Sequence, residues 1–126
     1  MKVVKLPAGI ITPYCYKAVI LEVIDGDTCL AKLDLGFHVS FVIKLRLAGI
    51  NTPELDGPSA DLAIKGKDRL TELAQGKEVI VVTEKDHQEK YGRYLASIFL
   101  HDSTNVNELL VTEGLAKHYF GTGRKD

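Results

Sequence analysis

Hydrophobic and polar positions alternate with a period of about two through the first third of the chain, then recur with helical period in the middle. Residues 16–24 (Y-K-A-V-I-L-E-V-I) are β-branched and apolar and predict a strand. Asp25-Gly26-Asp27 follows as a turn, with Gly26 expected to supply positive φ. In residues 28–35, Cys29, Ala31 and Leu33 alternate against Thr28, Leu30 and Lys32, a second strand that ends at Gly36. Residues 39–47 give a third, completing a meander.

Thr52-Pro53 closes this region, and Gly57-Pro58 is expected to open a helix with proline at its first position, where the missing N–H does no harm. Leu62, Ala63, Gly66, Leu70, Leu73 and Ala74 form an apolar stripe of helical spacing. Gly66 should cost that helix about 1 kcal/mol relative to alanine unless another element packs close there. Gly76 stops it. Residues 77–84 and 94–100 read as the fourth and fifth strands, joined by the charged stretch 85–90. Asn105 is placed to cap a short helix over 106–113, ended by Gly114 and followed by an apolar tail, 115–120. The predicted class is α+β, mainly β: a five-stranded OB-type barrel with about two helices, the longer one between the third and fourth strands. Residues 1–14 read as an N-terminal extension, 15–121 as the domain and 122–126 as a tail.

Composition narrows the classes. A chain of 126 residues, 45% hydrophobic and 26% charged, has the size and balance of one globular domain. No apolar run approaches the roughly 18–20 residues of a membrane helix, and Pro7 and Gly9 interrupt the short apolar start, which argues against a secretory leader. A net charge of −1 argues against a broad basic footprint but not against a small focused site. Cys15 and Cys29 lack metal-ligand spacing and read as free thiols, pointing to the cytoplasm.

The candidate chemistry lies where strands end: Asp27, Arg46, Asn51, Thr52, Glu54, and the run Lys90-Tyr91-Gly92-Arg93. An arginine within an otherwise apolar strand (Ile43, Leu45, Leu47) needs a partner or a cleft. Two guanidinium forks suit a phosphodiester, and carboxylate and carbonyl oxygens suit a hard cation such as Ca²⁺ or Mg²⁺. Asp25 and Asp27 read equally well as turn formers. His38, His87, His101 and His118 share no ligand spacing and read as surface or loop residues.

The ordered set D-G-D-T, R-L-A-G-I-N-T-P-E, E-K-Y-G-R and V-N-E-L-L-V-T-E-G-L-A-K resembles the staphylococcal nuclease (thermonuclease) family over about residues 19–117. That resemblance implies a Ca²⁺-dependent nuclease on an OB barrel, acting on DNA or RNA and leaving 3′-phosphate ends. It implies Asp27, Asn51 and the Thr52 carbonyl as metal ligands, Glu54 as holder of the attacking water, and Arg46 and Arg93 as the phosphate clamp. Lys90 and Tyr91 would meet the substrate, with Tyr119 and Phe120 as the stacking platform. The substrates so implied are single-stranded DNA, RNA or loosened duplex. Asn51 departs from the family by replacing an acid. Only Leu55 and Asp56 separate Glu54 from Gly57-Pro58, where the family has a longer loop. The family's C-terminal helix is expected to be lacking, its surface covered by residues 1–14 or by an oligomer. The competing function class is a nuclease-like barrel that binds nucleic acid or a protein partner without cutting.

Overall fold

The computed structural model describes residues 14–53, 57–88 and 92–119, with the backbone alone for 85–88. Of the sequence-derived site, Glu54, Lys90, Tyr91 and Phe120 lie outside the described residues. Strands β1 (Cys15–Asp25), β2 (Thr28–Asp34) and β3 (Ser40–Leu47) form the expected antiparallel meander. There follow β4 (Ile50–Asn51), α1 (Ala60–Ala74), β5 (Glu78–Gln88), β6 (Tyr94–Phe99), α2 (Val106–Thr112) and β7 (Lys117–His118). The five longer strands close into a barrel in the order β1-β2-β3-β6-β5, with β5 returning to β1, as the OB-type reading requires.

Alternation explains the interior. Cys29, Ala31 and Leu33 of β2 face inward against Ile43 and Leu45 of β3, and all are buried. Arg46 falls on the opposite face from Leu45 and Leu47, so its side chain leaves the apolar interior. The barrel closes through a short parallel seam between β3 and β6, Leu45↔Tyr94, Arg46↔Leu95 and Leu47↔Ala96. Arg93 immediately precedes β6, so closing the seam brings both arginines to one end.

α1 begins later than expected. Ser59 is its N-cap residue, and Gly57 and Pro58 belong to the turn before it rather than to its first turn. At its other end Gln75 stitches the helix to β1: the Val23 N–H donates to Gln75 Oε1 at 2.8 Å, beside irregularities in the β1–β2 register. α2 is capped by Asn105, whose side chain accepts from the Glu108 N–H at 3.2 Å. Buried Asn107 pins α2 to the barrel, donating to the Ala48 and Ala96 carbonyls and accepting from the Ile98 N–H. A small second sheet pairs β4 with β7, so residues 117–118 form a strand where the sequence suggests only an apolar tail.

Candidate active site

Four backbone segments converge at the Arg46 end of the barrel: the β1–β2 turn, the end of β3, β4 and the start of β6. The Leu47 N–H donates to the Asp27 carbonyl at 2.8 Å, holding the turn against β3. The Asp27 N–H in turn donates to Asp25 Oδ1 at 3.1 Å, so Asp25 braces the turn.

The side chains form one continuous network. Arg93 Nη1 donates to Thr28 Oγ1 at 3.2 Å, and the Thr28 hydroxyl donates to Asp27 Oδ1 at 3.1 Å. Asp27 Oδ2 lies 3.4 Å from Arg46 Nη1 and accepts from the Thr52 N–H at 3.3 Å. Arg46 also donates through Nη1 to the Leu47 carbonyl at 2.7 Å and through Nη2 to Asn51 Oδ1. Asp27 and Arg46 are both buried, so each has its charge met by a partner. The structure thus unites Asp27, Arg46, Asn51, Thr52 and Arg93.

Thr28 is the residue that sequence reasoning missed as a participant. It stood in the D-G-D-T motif, directly after Asp27, and its hydroxyl is the bridge between the two arginines' networks. Tyr119 stands apart from them: its N–H donates to the Gly49 carbonyl at 2.7 Å, on the small sheet that carries Asn51.

Electrostatics separates the two aspartates. Burial alone would raise the Asp27 pKa, but hydrogen bonding with Asp25, the Arg46 charge, the Thr52 N–H and the Thr28 hydroxyl together hold it below the usual carboxylate value. Asp25 is pushed up, first by burial and then by its negative neighbour Asp27. Of the two aspartates, Asp27 is thus the stronger acid.

Asp27, Asn51 and Thr52 offer only oxygen donors, which fits a hard divalent cation. Their charge is light: one carboxylate, next to an arginine. Among the described residues no three His, Cys, Asp or Glu side chains cluster as a metal cage. Beside this group lies a cavity of about 420 Å³, bounded by Asn51, Thr52, Pro53, Pro58, Leu62 and Leu115 among others.

A family model described as staphylococcal nuclease homologue matches residues 44–126. The chain is 32% identical to "Thermonuclease" of Staphylococcus hyicus, across 80% of this chain and 58% of that protein. It is 32% identical to the "Uncharacterized protein MJ1439" of Methanocaldococcus jannaschii, across 82% of this chain and 59% of that one. It is 29% identical to "Endonuclease YhcR" of Bacillus subtilis, matching 83% of this chain but 9% of that much longer protein. The chain therefore spans less than two thirds of these relatives' lengths. Matched over most of its length by the family model, the chain belongs to the staphylococcal nuclease homologue family.

Proposed function

We propose that this chain is a Ca²⁺-dependent nuclease that hydrolyses phosphodiester bonds of DNA or RNA by attack of an activated water, leaving 3′-phosphate ends. The observation that carries this reading is the network joining Arg93, Thr28, Asp27 and Arg46 at one end of the barrel. Two permanently charged guanidinium groups, held there before substrate arrives, are what a phosphoryl centre gaining negative charge requires. The nuclease names of the relatives support the same class.

Arg46 and Arg93 grip the phosphate oxygens, and Asp27 keeps Arg46 oriented between substrates. Glu54, one residue past Pro53, takes the proton of the attacking water or positions it. Asp27, Asn51 and the Thr52 carbonyl would hold Ca²⁺, or Mg²⁺ in its place, and the ion would supply Lewis-acid charge at the phosphate. The neighbouring cavity is of a size that accommodates small ligands and takes a sugar or base of single-stranded DNA, RNA or loosened duplex.

A second reading, a barrel that binds nucleic acid or protein without cutting, draws on one observation. Asn51 brings no negative charge, and its Oδ1 accepts from Arg46. Cleavage of single-stranded DNA by purified protein with Ca²⁺, with Mg²⁺ and with chelator separates the two readings. The nuclease cuts with Ca²⁺, yields 3′-phosphate ends, and loses cutting in Arg46→Ala and Glu54→Gln. A folded protein that cuts under no metal condition establishes the binding module instead.

A further inference from the structure

The charges on the outer face of the β2–β3 hairpin are segregated in a way the cleft does not explain. Along β3, Arg46, Lys44 and Val42 share the outward face; along β2, Thr28, Leu30 and Lys32 face the same way. The register places Thr28 beside Arg46, Leu30 beside Lys44, and Lys32 beside Val42. Lys44 is thus about 7 Å along the strand from Arg46, and Lys32 about 8 Å further on the diagonal. Both lysines are exposed, and neither is engaged in an ion pair among the described residues. Val42 is 49% exposed and Leu30 half-buried, so apolar surface lies between the cations.

Acids bound this path rather than interrupt it. On the β1 side Glu22 pairs with Leu30, one strand removed from Lys44, and Asp34, beyond Lys32, stands opposite Lys17. In a chain of net charge −1, the stretch from Lys44 to Lys32, beyond the Asp27–Arg46 pair, holds no acid between its two cations and is a local excess of positive charge leading from the cleft.

We infer that this face is an extension of the substrate site, in which Lys44 and Lys32 bind successive phosphates of a single-stranded nucleic acid leaving the Arg46 cleft, with Leu30 and Val42 against its sugars and bases. The inference rests on the nuclease reading for its direction but concerns binding alone. A single strand, unlike a duplex, can follow a diagonal of closely spaced cations and lay its apolar groups between them.

The test measures binding of a fluorescein-labelled oligothymidylate, about 12 nucleotides long, by anisotropy in chelator over a series of salt concentrations. The full chain is compared with the double variant Lys32→Gln/Lys44→Gln and with Lys65→Gln, an exposed lysine on α1. The double variant is expected to bind several-fold more weakly at low salt, with the slope of log affinity against log salt shallower by about 1.4, two contacts at roughly 0.7 each. Lys65→Gln keeps the original slope, and the difference between the full chain and the double variant vanishes for a dinucleotide. An unchanged slope in the double variant, or an equal loss for the dinucleotide, overturns the inference. Protein that cuts nothing yet shows the slope change refutes the nuclease reading and leaves the track standing; cutting with no slope change does the reverse.

Discussion

Gly26 shows how a single residue serves the site for a different reason from the one its turn suggests. The sequence of the turn implies positive φ, yet Gly26 is not among the left-handed glycines, which are Gly36, Gly49, Gly76, Gly92 and Gly114. What requires glycine is space: a Cβ there would stand 3.0 Å from Thr52 Oγ1 and 3.1 Å from Thr52 Cβ and Cγ2. Gly26→Ala therefore pushes on the residue whose N–H holds Asp27. The variant should lose about 1–3 kcal/mol in urea unfolding through overpacking and, on the proposed nuclease function, most of the cutting of single-stranded DNA; an unchanged midpoint and rate would refute the contact. Asn51 makes the complementary case. Its Oδ1 bonds Arg46 without adding negative charge, so Asn51→Asp supplies a second carboxylate beside Asp27. Calcium titration by calorimetry should show about tenfold tighter binding or more, because affinity for hard cations follows ligand charge. Identical affinity in both proteins would remove Asn51 from the ligand set.

At the scale of elements, α1 carries a glycine on its buried face that invites the same question. A Cβ on Gly66 would meet the Leu115 carbonyl oxygen at 3.8 Å and Gly26 Cα at 4.0 Å, ordinary contact distances. The close approach that would justify glycine is therefore absent, and Gly66→Ala should stabilise the protein by up to about 1 kcal/mol through helix propensity. A higher urea midpoint with unchanged cleavage is the expected result; destabilisation would mean that α1 cannot accept a methyl against the β1–β2 turn. The elements that sequence made legible are those with many periods of pattern. The inward alternation of Cys29, Ala31 and Leu33, and the stripe ending at Leu70 and Ala74, locate β2 and α1 to within a few residues. β4 and β7 were not legible, because two residues hold no period and their pairing, Asn51 with Lys117, is made between distant segments. Pro58 misled for a local reason: it suits a first helical turn, but the chain uses it in the turn before Ser59. In the site, Arg46 announced itself as a charge in an apolar run. Thr28 did not, since a threonine at the start of a strand is ordinary and its bridging role exists only once β6 brings in Arg93.

For the whole molecule, the closing of the barrel and the assembly of the cleft are one event, because the β3–β6 seam runs through Arg46 itself. The helices carry a further link at the surface. α1 and α2 are joined on the surface by a fork from Arg69, with Nε and Nη2 each 2.8 Å from a Glu113 oxygen and Nη1 2.7 Å from Glu72. Hydrogen bonds from Arg69 lower the Glu113 pKa below the ordinary carboxylate value, and a carboxyl so lowered fixes the sign of the pH effect. Its contribution is present above the unfolded pKa and is lost as pH falls through the folded one, when Glu113 takes up a proton. Arg69→Gln removes the fork without opening a cavity in the core. The stability difference between the original chain and this variant should therefore be present near neutral pH and shrink towards zero in acid, as pH falls through the lowered Glu113 pKa. It should also shrink with added salt, since the fork is exposed to solvent. Urea midpoints of both proteins at the two pH values measure it directly. A difference independent of pH would mean that Arg69 acts through the packing of its aliphatic stem rather than through Glu113, and that the two helices are joined by their apolar contacts alone.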